Sequence, residues 1–135
     1  MTLIVDSSMA LAWCFEDEQT ASVMTVLDRV TEGGAIVPQL WPYEVLNGLF
    51  VAERRRRLDR ERRRLLAKSL QSLPIEIDEE TVGQAWGPVT SIAEKFGLTS
   101  YDAAYLELAQ RRKLPLASLD QDMCSAGQAL GIALL

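Results

Sequence analysis

The 135-residue chain contains no histidine and only two cysteines. Without histidine, the protein has no serine–histidine or cysteine–histidine catalytic pair and no imidazole for acid–base chemistry. Two cysteines alone provide no zinc-ligand pattern, so we expect Cys14 and Cys124 to be free, buried thiols. Any enzymatic chemistry must therefore rest on carboxylates, hydroxyls, lysine, arginine or bound metal ions.

The sequence also lacks a long apolar run. No stretch approaches the roughly 20 apolar residues that a membrane helix requires. The first strand-like segment has no basic residue before it and is followed at once by Asp6, which argues against a signal peptide. We therefore expect a cytoplasmic protein without a membrane segment. Because 48% of the residues are hydrophobic, residues 1–135 are predicted to form a single domain with one core.

Short apolar runs rich in β-branched residues alternate with helical patterns. The predicted strands are Leu3–Val5, Ala35–Val37, Pro74–Ile77, Leu116–Ser118 and Ile132–Leu134. The predicted helices cover residues 7–16, 19–31, 42–58, 60–72, 79–96, 99–112 and 121–130, and a break is expected near Gly87 and Pro88. This alternation predicts an α/β fold in which helices cover both faces of a mostly parallel sheet.

Two of these helices have a clear apolar face. The residues that share it are Val45, Leu46, Leu49 and Phe50 in the third helix, and Tyr101, Ala104, Tyr105 and Leu108 in the sixth. Their spacing of three and four residues predicts that both faces pack against the core.

Four acidic residues are predicted to meet at one edge of the sheet. Asp6 ends the first strand, Asp120 closely follows the fourth, and Glu44 lies in the first turn of the helix after the second. Asp102 begins a helix that leads into the fourth strand, so this helix must start at the same edge. Open α/β sheets bind their ligands at this edge, the carboxyl ends of the strands.

Each acid also has a purely structural interpretation. Asp6 and Asp120 could be helix N-caps, and Glu44 could favour the positive end of its helix. Asp102 could belong to a variant capping box that begins at Thr99. These local roles do not exclude a shared one.

Four carboxylates at one place would repel each other and raise one another's pKa values. A divalent cation removes this cost, and hard cations such as Mg²⁺ and Mn²⁺ prefer oxygen ligands. Two such ions about 3.5–4 Å apart can hold a phosphodiester, activate a water and stabilise the leaving oxygen. The four acids therefore predict a metal site suited to phosphodiester hydrolysis.

The segments around these acids are Leu3–Ser8, Pro38–Asn47, Leu98–Ala109 and Leu116–Asp122. In order, spacing and local context they resemble the motifs of the PIN-domain ribonucleases, and within that family the VapC-type toxins. The resemblance implies a three-layer α/β/α sandwich whose five parallel strands have the order 3-2-1-4-5. It also implies Mg²⁺- or Mn²⁺-dependent endonucleolytic cleavage of RNA.

The resemblance assigns Asp6, Glu44, Asp102 and Asp120 to a catalytic, metal-binding quartet. It makes Asp6 and Asp102 the strongest candidates for direct metal ligands. Glu44 could coordinate through water or position the nucleophilic water, and Asp120 could hold a second metal ion or act behind the ligands.

Three further residues near the quartet have two interpretations each. Asp122 is an optional fifth acid whose more ordinary role is that of a first-turn helix residue. Ser7 and Ser118 could orient metal ligands or phosphate, or serve only the start of a helix and the end of a strand.

The resemblance also implies partners: an RNA substrate, a small cognate antitoxin that wraps the toxin, and a homodimer. An RNA-processing nuclease without an antitoxin and an inactive PIN-like binding module remain alternatives. A receiver-type phosphoryl-transfer domain fits poorly, because Lys113 precedes the fourth strand instead of following a strand.

Positive charge is concentrated in residues 53–64, which contain eight arginines and three acids, a net charge of +5. The whole chain has a net charge of −5, so the remainder carries −10. The cluster from Arg54 to Arg64 could bind the RNA backbone, dock an acidic antitoxin segment, or form a solvated helical hairpin. Trp13, Trp41 and Trp86 could stack on bases, but we expect them to be buried in the core or at a dimer interface. Trp41 is the best candidate for lining the substrate groove.

Overall fold

A computed structural model of the chain describes residues 2–135. The strands are β1 (Leu3–Val5), β2 (Ala35–Val37), β3 (Ile75–Ile77) and β4 (Leu116–Ala117). The α-helices are α1 (Ser7–Ala12), α2 (Ala21–Gly33), α3 (Trp41–Arg54), α4 (Arg60–Gln71), α5 (Thr90–Phe96), α6 (Ser100–Arg112) and α7 (Gln121–Ala129). None of the helices within these residues combines the length and the apolarity that crossing a membrane requires.

The strands form one parallel sheet in the order β3-β2-β1-β4. The expected fifth strand, Ile132–Leu134, is reduced to a single parallel bridge between Leu134 and Leu116 beside β4. Only two backbone hydrogen bonds hold it there, from Leu116 to Ala133 and from Leu135 to Leu116. The α/β fold and the predicted strand order are confirmed, whereas the fifth strand is too short to pair as one.

Helices cover both faces of this sheet. Every residue of β1 and β2 is buried, although successive side chains of a strand point to opposite faces. Helix α3 packs against α1 and α4, and α6 packs against α5 and α7. Gly48 allows α1 to approach α3 closely, because a Cβ there would lie 2.4 Å from a Leu11 methyl carbon.

Three predicted helices are clearly shorter in the structure. The first, predicted to reach residue 16, ends at Ala12. The segment predicted as helix 79–96 contains a 3-10 turn (Val82–Gln84) and a π-helical turn (Ala85–Val89) before α5. Gly83 and Gly87 are poor helix formers, and Pro88 lacks an N–H to donate. The third predicted helix ends at Arg54 and not near residue 58, because Arg56 adopts a left-handed conformation with a φ of 61°.

The predicted apolar faces are only partly buried. Val45 and Leu49 of α3 are buried, but Leu46 and Phe50 are 39% and 38% exposed. In α6, Tyr101 is 59% exposed, while seven consecutive residues, 103–109, are buried. Trp13 and Trp41 are buried as expected, but Trp86 is 95% exposed.

The two cysteines are free thiols, as expected, although only Cys14 is fully buried and Cys124 is partly exposed. Burial raises the pKa of the Cys14 thiol to about 11. This thiol is therefore protonated and unreactive at neutral pH.

Arg111, near the end of α6, is surrounded by carboxylates. Its guanidinium donates to Asp78 at 2.7 Å, to Glu107 at 2.8 Å and to Glu80 at 3.1 Å. The side chains of Asp78 and Glu107 are only 2% and 5% exposed. Through these bonds Arg111 joins α6 to the segment that follows β3. It also holds the pKa of Asp78 below its ordinary value.

We expect Arg111→Met to lower the free energy of unfolding by about 3 kcal/mol, because it leaves two buried carboxylates without their main partner. Urea unfolding near neutral pH measures this. Arg112→Met is the matched control, since this side chain is 39% exposed and its nearest contact with Asp78 is a long ion pair of 3.8 Å. We expect this substitution to lower the free energy of unfolding by less than about 1 kcal/mol.

The effect of Arg111→Met on stability should depend on pH in a defined direction. Because the folded-state pKa of Asp78 is lowered, its contribution to stability is present above the unfolded pKa of about 4 and is lost as pH falls through the folded value. The difference between the wild type and Arg111→Met should therefore narrow in acid. A difference that stays constant with pH would contradict the buried-pair explanation.

Candidate active site

Asp6 is the most deeply held acid of the predicted quartet. It follows β1, acts as the N-cap of α1, and is 2% exposed. Its carboxylate accepts hydrogen bonds from the Ser8 hydroxyl at 2.8 and 2.9 Å, from the Met9 backbone N–H at 3.0 Å, and from the Ser118 hydroxyl at 2.5 Å. Burial nevertheless raises the pKa of Asp6. The carboxylate is thus fixed in orientation, yet its charge is poorly compensated.

Ser118 connects the ends of two strands. It follows β4, and its hydroxyl donates to Asp6 while accepting the backbone N–H of Asp120 at 3.0 Å. Asp120 is the N-cap of α7 and accepts the Met123 N–H at 2.9 Å. The N-cap roles of Asp6 and Asp120 are therefore real, and they orient both carboxylates at the same edge of the sheet.

Glu44 lies in the first turn of α3 and is bound by Tyr105 of α6. The Tyr105 hydroxyl donates to Glu44 Oε1 at 2.5 Å, and its ring is 1% exposed, which fixes the position of the hydroxyl. Burial raises the pKa of Glu44, and the charges of Asp102 and Asp6 raise it further. Glu44 is therefore part of the same electrostatic cluster as the strand-end acids.

Asp102 lies in the first turn of α6, whose N-cap is Thr99. The Asp102 backbone N–H donates to the Thr99 hydroxyl at 3.1 Å, as the predicted capping box requires. Burial raises the pKa of Asp102, and Asp120, Asp6 and the exposed Asp122 raise it further. The structure thus brings all four predicted acids together, with Asp122 at the margin.

The quartet does not form a ready-made coordination shell. Within residues 2–135, no three acidic or cysteine side chains lie close enough together to hold one metal ion. Hydrogen bonds turn Asp6 towards its two serines and Glu44 towards Tyr105, and mutual repulsion favours separation. A change of side-chain rotamers would be needed for joint coordination.

The donor set still fits a hard divalent cation. Every candidate ligand is a carboxylate oxygen, and the pKa values of Asp6, Glu44 and Asp102 are all raised by burial and by neighbouring acids. Such a cluster holds excess negative charge that Mg²⁺ or Mn²⁺ would neutralise. The catalytic and metal-binding roles of the four acids stay a prediction.

Two residues of the site were not predicted as such. The sequence places Tyr105 only on an apolar helix face, and Ser8, not Ser7, binds Asp6. The signal for Tyr105 was its position three residues after Asp102, which places both on one side of α6. Ser8 had no signal beyond the two hydroxyls that follow the first acid.

The family model described as the PIN domain matches residues 3–128, which include all four acids. The chain belongs to the PIN-domain family. This confirms the resemblance inferred from the motifs. No curated protein matches this PIN domain by sequence.

Solved structures similar in fold include the following three. PAE2754 from Pyrobaculum aerophilum is 24% identical, with a TM-score of 0.71 over 99% of this chain and 83% of that chain. FitAcB from Neisseria gonorrhoeae is 17% identical, with a TM-score of 0.67 over 100% and 96%. VapBC2 from Rickettsia felis, bound to a promoter DNA fragment, is 12% identical, with a TM-score of 0.69 over 100% and 98%. At these identities the similarity shows a shared fold.

We expect Asp102→Asn to raise the melting temperature of this PIN domain by a few degrees near pH 7.5 in EDTA. The reason is that the folded pKa of Asp102 is raised, so its ionisation destabilises the folded state. This destabilisation is absent below the unfolded pKa of about 4 and fully present above the folded pKa. The gain from the substitution should therefore disappear in acid.

The control for this experiment is Asp28→Asn, on the exposed side of α2, which makes the same change in net charge. Its melting temperature should equal that of the wild type. Equal shifts in the two variants would mean that net charge, and not crowding at the sheet edge, sets the effect.

Proposed function

We propose that this PIN domain is a metal-dependent endoribonuclease that acts as the toxin of a type II toxin–antitoxin pair. The observation that carries the proposal is the cluster of four acids at one edge of the sheet, each held by a different structural element. The absence of histidine supports it, because oxygen ligands and a hard cation can hydrolyse a phosphodiester without an imidazole.

The residues of the site would have distinct roles. Asp6 and Asp102 would hold the cation directly, with Glu44 and Asp120 binding it or the water beside it. The bound cation supplies positive charge to the phosphodiester oxygens and lowers the pKa of water. Ser8 and Ser118 keep the Asp6 carboxylate in place, and Tyr105 keeps Glu44 in position to accept a proton from the attacking water.

We expect Asp6→Asn and Asp102→Asn each to reduce RNA cleavage at least about a hundredfold, because both remove a charged metal ligand. The measurement is the mapping of new 5′-phosphate RNA ends in cells that briefly express the protein, together with cleavage by purified protein in Mg²⁺ or Mn²⁺. EDTA should abolish the purified activity, and Asp28→Asn should retain it.

Two results would contradict the proposal. Identical RNA ends with the wild type and Asp102→Asn would remove the quartet from the active site. No cleavage of RNA by purified wild type with either cation would favour an inactive PIN-like binding module.

We further propose that a small antitoxin binds the hairpin formed by α3 and α4. This hairpin exposes four large apolar side chains, at Tyr43, Leu46, Phe50 and Leu65. A groove of about 220 Å³ between the two helices includes Trp41, Leu49 and Leu70 in its lining. The buried Trp41 Nε1–H has no hydrogen-bond partner among the described residues. Such a surface suits an amphipathic helix with a free acceptor.

The likeness in fold to FitAcB and VapBC2 supports this partner. We expect the small protein encoded beside this chain to suppress its toxicity, and Leu46→Glu in the groove to prevent suppression without loss of RNA cleavage. Val82→Glu, at another exposed apolar residue, is the control and should still be suppressed. Absence of any suppressing neighbour would favour an RNA-processing nuclease without antitoxin. The homodimer implied by the resemblance stays a prediction.

A further inference from the structure

Seven of the eight arginines in residues 53–64 divide into two groups. The eighth, Arg62, is exposed at a separate depression that Glu16 and Asp17 also line, and it belongs to neither group. Arg57 and Arg63 form ion pairs and ring contacts with other residues of the protein. Arg57 pairs with Asp17 and Glu18 at 2.9 and 3.0 Å and lies 4.0 Å from the centre of the Phe15 ring. Arg63 pairs with Glu53 and covers the Phe50 ring. These contacts hold the hairpin turn in one position against the rest of the fold.

The turn is also fixed by its own backbone. Asp59 is the N-cap of α4 and accepts the Arg62 N–H at 2.8 Å, and Arg56 adopts the left-handed conformation that reverses the chain. A solvated and flexible hairpin would not need these contacts. The remaining cations are therefore presented on a stable framework.

A second group of cations points outward. We define the basic surface as the exposed residues Arg54, Arg55, Arg56, Arg60, Arg64 and Lys68. Among residues 2–135, none of these six forms an ion pair. Three of them, Arg60, Arg64 and Lys68, line a wide depression that also contains Asp59 and Glu61 and that includes none of the four acids of the site.

Part of the basic surface is a regular row. Arg60, Arg64 and Lys68 are four residues apart, so they lie on one side of α4 at intervals of about 6 Å. The buried residues Leu66 and Leu70 are on the opposite side of the helix. The row therefore makes no contribution to the core, and its spacing suits a polymer with regularly repeated charges.

An RNA nuclease with this charge distribution needs such a surface. The chain outside residues 53–64 carries −10, and the candidate active site is itself acidic, so both repel a polyanion. Eight of the fourteen lysines and arginines lie in residues 53–64. Arginine is also the side chain that binds phosphate with two parallel hydrogen bonds.

We propose that the basic surface binds the phosphodiester backbone of RNA outside the cleaved segment and holds it on the enzyme. This inference rests on the proposed ribonuclease function. Glu44 and Arg54 are ten residues apart on α3, so the basic surface begins about 15 Å along the helix from the acidic cluster. The contacts are to phosphates, so binding is independent of base sequence.

The test compares two triple variants with the same net charge. One is Arg55→Gln/Arg60→Gln/Arg64→Gln in the basic surface, and the control is Arg29→Gln/Lys95→Gln/Lys113→Gln at exposed positions elsewhere. The probe is a fluorescent single-stranded RNA of about 20 nucleotides, with Ca²⁺ replacing Mg²⁺ to limit cleavage. Fluorescence anisotropy measures affinity at several salt concentrations, and melting temperatures verify folding.

We expect the first triple variant to lose at least about tenfold in affinity, and the slope of log affinity against log salt to fall by about 2, because three phosphate contacts are lost. The control should retain most of the wild-type affinity and slope. Equal weakening in both variants would overturn the inference, since only net charge would then matter.

Two further results separate this inference from the proposed function. If the wild type cleaves RNA and the first triple variant binds it as well as the wild type does, the basic surface is not an RNA site, while the nuclease stands. If the wild type neither binds nor cleaves RNA, both proposals fail. Stronger binding of a poly-glutamate peptide than of RNA at this surface would instead assign it to an acidic protein partner.

Discussion

Burial of neighbouring carboxylates at the carboxyl edge of the sheet is the constraint on which the site depends. Parallel pairing of β1 with β4 brings Asp6 and Asp120 to one edge, and α3 and α6 begin there with Glu44 and Asp102. Hydrogen bonds from serine, tyrosine and backbone groups orient these acids without neutralising them. The pKa values of Asp6, Glu44 and Asp102 are raised, first by burial and further by neighbouring acids, a combination typical of a site that binds a cation or a reacting group.

The sequence predicted the architecture because each strand and helix carries its own local signal. β-Branched runs mark the strands, and Asp6, Thr99 and Asp120 mark helix starts, so order and direction follow from the alternation. The four acids could be placed at one edge from topology alone. The hydrogen bond from Tyr105 to Glu44 could not be predicted in this way, since it joins residues 61 positions apart and depends on side-chain packing.

Other differences between the predicted and the observed elements have local causes that hydrophobic periodicity does not reveal. Leu46 and Phe50 have helical spacing but lie at the rim of the α3–α4 hairpin, so the pattern identifies a face without showing how far it is covered. Part of the predicted helix 79–96 forms 3-10 and π-helical turns instead, because it contains two glycines and Pro88. The last strand forms no ladder, because Leu116 is the only residue of β4 to which its backbone bonds among the described residues.

Helix α3 joins the two charged regions of the molecule. Glu44 is in its first turn and Arg54 in its last, which are the positions that the helix dipole favours for an acid and for a base. Local helix stability and the proposed RNA function therefore select the same residues, and the sequence alone could not separate them. The structure does so through contacts: Glu44 is bound by a buried tyrosine from another helix, whereas Arg54 is exposed and has no ion-pair partner among the described residues. Helix stability alone does not require such long-range positioning, so the bond from Tyr105 supports the proposed role of Glu44. The proposed role of Arg54 rests instead on its exposed charge, which is unpaired within residues 2–135.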